Sequence, residues 1–331
     1  MKKLINEVDN VVKEMLDGLA AAYPQYVRRL DGLDVLVRAG GSSGKVALIS
    51  GGGSGHEPAH GGFVGKGMLD GAVAGAVFTS PTPHQVYEAI KAANGGKGVL
   101  LVIKNYTGDV MNFEMAADMA ADEGIQVEKV VVADDVAVEN STWTTGRRGI
   151  AGTIFVHKIA GACAEAGGDL ENVKRVAEKV IANVRSMGMS LSACTVPAAG
   201  KPSFDLAEDE IEIGLGIHGE PGVNREKMGS ANDICDKLLD KILAEGIYKA
   251  GDRIAVLVNG MGGTPLMELF IANRHIHEAL AGKGMVIAKT IVGNFMTSLD
   301  MEGFSITLLK LDAELEELLN APANTPAFVQ A

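Results

Sequence analysis

Short aliphatic and β-branched runs alternate with helix-period stretches along most of the chain. Residues 46–49 read as a strand, 85–93 as a helix, 98–103 as a strand, 113–122 as a helix and 127–133 as a strand. Unbroken apolar runs of this length suit strands buried on both faces. Strand and helix alternating at this spacing is the pattern of βαβ units and a largely parallel sheet. A long helical pattern at 152–187 then gives way to a polar, Pro-bearing stretch at 198–205. The alternation resumes with a helix at 231–244, a strand at 253–258, a helix at 265–280, a strand at 286–291 and a closing strand at 303–310. The pattern predicts an α/β protein of two α/β domains with mostly parallel sheets, 1–185 and 186–331. The Ala/Pro/Asn-rich end from Ala321 reads as a mobile tail.

Composition narrows the functional class. Glycine supplies 42 of the 331 residues, well above the ~7% average, so many loops are defined by backbone, as small-ligand sites require. Thirty Lys+Arg against 42 Asp+Glu leave a net charge of −12, and basic residues cluster only in pairs such as Arg147-Arg148. That argues against a nucleic-acid surface. Cys163, Cys194 and Cys235 form no CxxC, and the N-terminus carries no signal-like apolar stretch, so a reducing, cytoplasmic location is expected. No apolar run approaches the ~18 residues of a membrane span.

Three stretches imitate known sites. Residues 39–46, Ala39-Gly40-Gly41-Ser42-Ser43-Gly44-Lys45-Val46, nearly make a P-loop. The first Gly is Ala39, the magnesium-binding hydroxyl is Val46, and the Lys leads into a strand where a P-loop leads into a helix. Gly53-Ser54-Gly55-His56 starts like a dinucleotide fingerprint, but Pro58 stands where its third Gly belongs. His56-Glu57-Pro58-Ala59-His60 matches H-E-x-x-H, which binds zinc only from a regular helix. Pro58 and Gly61-Gly62 deny it one, and no third ligand is evident. No metal is therefore expected, and a metallohydrolase using His56, His60 and a carboxylate ranks last.

The loops that can carry chemistry follow strands. Ser50-Gly51-Gly52-Gly53-Ser54-Gly55-His56-Glu57-Pro58 follows the first, at the carboxyl end where open α/β sheets hold ligands. It is either a site with an acid/base His56 or a tight turn with a solvated one. Phe78-Thr79-Ser80-Pro81-Thr82-Pro83 is a hydroxyl-rich loop, and Lys104-Asn105-Tyr106-Thr107-Gly108-Asp109 brings a cation, a hydroxyl and a carboxylate to the same edge. Asp109 reads equally as a general base or as a helix N-cap. His218, in Gly216-Ile217-His218-Gly219-Glu220-Pro221-Gly222, is either a loop histidine or a nucleophile toward a carbonyl. Asn259-Gly260-Met261-Gly262-Gly263-Thr264-Pro265 presents backbone donors or simply turns the chain.

Together, Gly51-Gly52-Gly53-Ser54-Gly55-His56-Glu57-Pro58, the Lys104–Asp109 stretch, the His218 motif and Asn259-Gly260-Met261-Gly262 resemble the dihydroxyacetone kinase family in order and separation, over essentially the whole chain. Within it they are most similar to the dihydroxyacetone-binding K subunits of the phosphotransferase-system-dependent type. The resemblance implies two α/β domains with the substrate between them, and a homodimer. It implies that His218 binds the carbonyl carbon of dihydroxyacetone covalently as a hemiaminal, selecting short ketoses and aldoses over glycerol. His56 and Asp109 become the acid/base pair around the attacking hydroxyl, and Gly53, Ser80 and Lys104 hydrogen-bond the substrate. Relatives that use ATP directly carry a nucleotide-binding domain after this region, for which residue 331 leaves no room. The resemblance therefore places ATP/ADP and magnesium on a separate L subunit, recharged by a phosphotransferase-system M subunit from phosphoenolpyruvate, with no cofactor on this chain. Some relatives are instead dihydroxyacetone-binding co-activators of a transcription regulator, the alternative function.

Overall fold

The computed structural model describes residues 2–139, 145–219 and 222–331. Within these, β1 (Val27–Arg29), β2 (Val35–Arg38), β3 (Ala47–Ser54), β4 (Gly71–Val77), β5 (Val99–Lys104) and β6 (Val127–Val132) form one sheet, ordered β1-β2-β4-β3-β5-β6. The pairs β3–β4, β3–β5 and β5–β6 are parallel, and β1–β2 and β2–β4 are antiparallel. Every residue of β3 and β5 is buried, which is why both read as unbroken apolar or small-residue runs. Gly51, Gly52 and Gly53 of the first motif lie inside β3, which continues to Ser54; only Gly55 lies in the loop after it.

The second sheet contains β7 (Val184–Ser190), β8 (Glu210–Ile213), β9 (Asn224–Lys227), β10 (Arg253–Gly260), β11 (Val286–Gly293) and β12 (Gly303–Leu311), ordered β11-β10-β12-β7-β8-β9. Here only β10–β11 is parallel; β12 pairs antiparallel with both β10 and β7, and β7–β8 and β8–β9 are antiparallel. The parallel arrangement expected of both sheets thus holds for β4, β3, β5 and β6, most of the first, and at one edge of the second. The cause is local: β11 reaches β12 through residues 294–302 with no crossover helix, so the chain reverses.

Helix α1 spans Val11–Ala22, α2 Pro83–Ala93, α3 Thr107–Asp122, α4 Thr153–Glu165, α5 Leu170–Asn183, α6 Ala231–Leu243, α7 Leu266–Gly282 and α8 Ala313–Asn320. The long helical stretch expected at 152–187 is two helices and the start of a strand. Gly167, at φ 90°, ends α4, and the Asp169 side chain accepts from the Asn172 N–H to cap α5. From Val184 the chain enters β7. Twelve of the 13 residues of α4 are buried. Its Ile154, Phe155 and Ile159 share one apolar core with Leu48, Leu100 and Val102 of the first sheet and Ala255, Leu257 and Leu309 of the second. α2 and α3 cover the other face of the first sheet, and α6 and α7 that of the second.

The end of the chain is not the mobile tail the composition suggested. β13 (Ala323–Asn324) pairs with β14 (Val329–Gln330), and Lys66 exchanges backbone hydrogen bonds with Asn324. Tyr26 Oη–H donates to Asn324 Oδ1 at 2.7 Å and Ala327 N–H to Gly62 O at 2.9 Å. Gly65 makes room: a Cβ there would lie 2.4 Å from Asn324 O.

Candidate active site

Because β3, β4 and β5 are parallel neighbours, their carboxyl ends open on one edge, and the first unit's candidate residues collect there. Glycine decides how closely they approach. A Cβ on Gly52 (φ 150°) would lie 2.6 Å from Lys104 Nζ and 3.2 Å from Asp109 Oδ2, and one on Gly53 would lie 2.5 Å from Thr79 N. The missing side chains let Lys104 and Asp109 sit directly against the β3 backbone.

Asp109 occupies the first turn of α3. The N-cap is Tyr106, so the capping alternative for Asp109 falls away. Its Oδ1 accepts from Ser80 Oγ–H at 2.5 Å and its Oδ2 lies 3.6 Å from Lys104 Nζ. The Lys104 side chain is 0% exposed, and among the described residues its ammonium has no hydrogen-bond acceptor. A buried ammonium with unsatisfied donors is costly, and an oxygen-rich ligand offsets that cost.

His56 is fully buried. Its Nδ1 is 2.8 Å from the Thr297 carbonyl, which can only accept, so Nδ1 carries the proton and Nε2 the lone pair. That Nε2 has no partner among the described residues. Burial, then the neighbouring His218 and Lys104, hold its pKa well below the ordinary imidazole value, so the ring is a neutral acceptor at pH 7.

His218 comes from the turn after β8, in the other sheet. Its ring meets Tyr106, His56 and Phe78 with centroids 4.4, 4.7 and 5.4 Å away and interplanar angles of 84°, 83° and 88°. Three rings from the first unit therefore box one imidazole from the second. The base of its loop is held by the buried Arg148, whose Nη2 donates to Gly214 O at 2.8 Å and whose Nε donates to Asp135 Oδ2 at 2.7 Å. Glu220 and Pro221 of the same motif lie outside the described residues.

All six expected residues, Gly53, His56, Ser80, Lys104, Asp109 and His218, fall in this one region. Two contributors carried no sequence signal. Phe78, at φ 57°, stacks on His56 at 5.2 Å, and Thr297 sets the tautomer of His56 from a segment without any motif. The lookalikes separate cleanly. Lys45 Nζ is 2.5 Å from buried Asp70 Oδ2, an ion pair that takes the place of any phosphate. No regular helix carries His56 and His60; His60 Nδ1 instead lies 3.0 Å from His157 Nε2. Among the described residues no three His, Cys, Asp or Glu side chains are placed to hold a metal.

Residues 17–327 match the Dak1 domain family. The chain belongs to the Dak1 family. This Dak1 chain is 55% identical, over 329 residues covering 99% of it and 100% of the relative, to the PTS-dependent dihydroxyacetone kinase 1, dihydroxyacetone-binding subunit DhaK, of Listeria innocua. Its fold superposes with a TM-score of 0.92 and 39% identity on the dihydroxyacetone kinase operon co-activator Dha-DhaQ, covering 98% and 99% of the two chains. With the native dihydroxyacetone kinase of C. freundii the TM-score is 0.90 and the identity 37%, and the Dak1 chain spans 60% of that longer protein. No helix among its described residues is long and apolar enough to cross a membrane.

Proposed function

We propose that this Dak1 protein is the dihydroxyacetone-binding subunit of a phosphoenolpyruvate-dependent dihydroxyacetone kinase, capturing its substrate on His218 and presenting a hydroxyl for phosphorylation. The observation that carries the reading is the His218 imidazole standing 4.7 Å from His56, at the strand edge that also holds Lys104, Ser80 and Asp109. The relative's name and the 55% identity support the substrate.

In the first step a ring nitrogen of His218 adds to the carbonyl carbon. The N–C bond forms, the C=O π pair moves to oxygen, and the imidazole proton ends on that oxygen, giving a hemiaminal without loss of any group. Lys104 is the donor suited to that oxygen while charge develops on it. Tethering fixes the substrate hydroxyl beside Asp109, a positioning effect that in favourable cases removes ~7–11 kcal/mol of barrier. Asp109 takes the hydroxyl proton as the oxygen attacks the terminal phosphorus of ATP, and ADP leaves. His56 Nε2 is a neutral second acceptor, and Ser80 fixes the Asp109 carboxylate through its hydroxyl. In this reading the nucleotide and magnesium sit on a separate L subunit recharged by an M subunit, the chain works as a cytoplasmic homodimer, and residues 1–185 and 186–331 serve as acid/base and substrate-anchoring domains.

Intact mass of the protein treated with dihydroxyacetone, for the parent and His218→Ala, tests capture. Turnover with a purified L subunit tests the kinase. The expected result is an adduct of one dihydroxyacetone that His218→Ala loses, with turnover falling ~10²–10⁴-fold in Asp109→Ala while the adduct persists. No adduct in the parent overturns the His218 role. The fold shared with the Dha-DhaQ co-activator gives a second reading, a dihydroxyacetone sensor, which an adduct without phosphorylation by any cognate L subunit would select.

A further inference from the structure

Asn259, of the Asn259-Gly260-Met261-Gly262 motif, is fully buried at the end of β10 and spends its side chain on the segment that leads into Thr297. Its Oδ1 accepts from the Phe295 and Met296 N–H groups, both at 2.9 Å. Its Nδ2 donates to Met296 O at 2.8 Å and to Ser305 Oγ at 3.3 Å. One amide thus holds the N–H and the C=O of Met296, on the two successive peptides that flank its Cα. The next residue, Thr297, bonds His56 twice and its neighbour Glu57 once. Its N–H donates to His56 O at 3.2 Å, its Oγ1–H to Glu57 O at 2.8 Å, and its carbonyl accepts from His56 Nδ1–H at 2.8 Å. Gly260 keeps the clamp tight, since a Cβ there would lie 2.2 Å from Asn294 Oδ1.

We infer that Asn259 is a positioning residue for the reaction: from the second sheet it fixes the tautomer of His56, keeping the proton on Nδ1 and the lone pair on Nε2 toward the site. The tautomer of a neutral imidazole is set by the bond its other nitrogen makes, and among the described residues it is the Thr297 carbonyl that makes it. A ring with the proton on Nε2 cannot accept one from the substrate. The clamp is a side-chain amide because a single group accepts two N–H bonds and donates two, to Met296 O and Ser305 Oγ; a carboxylate only accepts and a hydroxyl has a single proton to donate. The inference rests on the reading of His56 as an acceptor, and the test separates the two.

Histidine-selective ¹⁵N NMR, with the His56 signals assigned by their absence in His56→Asn, reads the tautomer directly. Turnover with the L subunit and the dihydroxyacetone adduct by intact mass are measured on the same samples. In the parent, His56 Nδ1 gives a protonated-type and Nε2 an unprotonated-type shift. In Asn259→Ala both shifts move toward averaged values, kcat falls about tenfold with KM within about twofold, and the His218 adduct is retained. Asn259→Asp, which keeps the acceptor and loses the donor, falls between. If Asn259→Ala does not fold, Asn259→Asp carries the same test. An unchanged tautomer overturns the inference even if kcat drops, as does loss of the adduct in parallel with kcat. A parent His56 with its proton on Nε2 overturns the reading of His56 itself, whatever the Asn259 variants do.

Discussion

Gly52→Ala adds one carbon at the point where the two reactive side chains of the first sheet come closest to the backbone. The new Cβ would stand 2.6 Å from Lys104 Nζ and 3.2 Å from Asp109 Oδ2, against ordinary contacts of 3.4–4 Å. The Lys104 ammonium, at the end of a flexible stem, must retreat by about 1 Å, a misplacement that typically costs ~10²-fold in rate. At φ 150° the alanine is also strained, at about 1–3 kcal/mol of stability. The three atoms nearest this Cβ belong to Lys104 and Asp109, not to the nucleophile His218, so on the proposed reading capture slows with the retreat of Lys104 but still reaches its full extent. The expected outcome is a ~100-fold loss of turnover with the purified L subunit, an adduct of parental extent by intact mass, and a urea midpoint lowered in line with the strain. Turnover within threefold of the parent, or an adduct lost in proportion to turnover, would refute the argument that these glycines set the approach of Lys104 and Asp109.

The buried histidines make stability depend on pH. His157 is held down to about 3, chiefly by burial and then by Lys104, whereas in the unfolded chain it titrates near 6.5. A depressed folded pKa gives stability that is complete above ~6.5 and lost as pH falls, so His157→Asn should reduce the loss between pH 7 and 5 by about 2 kcal/mol. Urea denaturation at the two pH values measures it. Burial raises the pKa values of Asp134 and Asp135, which works in the opposite sense, so the difference between parent and variant is the relevant quantity. Gly65→Ala would drive a Cβ to 2.4 Å from Asn324 O at φ 155°, and should undock residues 323–330, seen as faster hydrogen exchange there with exchange in β3 and β5 unchanged.

The parts of the fold that were legible in the sequence are those whose burial is uniform. β3 and β5 are buried along their whole length, and the helices α2 and α6 begin at capping boxes, Thr82 with Gln85 and Ser230 with Asp233. α8 was not visible because Ala313–Asn320 is short and rich in Glu, and is secured by the Asp312 cap and by Leu315 and Leu319 packing in the shared core. The docked tail was illegible for a related reason: its partners, Gly62, Gly65 and Lys66, lie far away in sequence and offer backbone rather than side chains. In the site, residues that act through their own side chains stood in recognisable motifs. Thr297 acts through a carbonyl, which any residue possesses, and Phe78 through a ring whose stacking on His56 depends on a backbone angle that composition does not record.

The returning C-terminal segment sets an order of events during synthesis. Tyr26 and Asn324, whose side chains bond across the docked tail, are 298 positions apart. At ~5–20 residues per second a ribosome needs roughly 15–60 s to pass from one to the other. For all of that interval after residue 66 the strip around Gly62 and Lys66 has been made but its covering strand has not. The first sheet can therefore collapse early while its rim stays open until residues 323–330 have been made, which makes that rim the place where a chaperone or a neighbouring nascent chain would find exposed backbone.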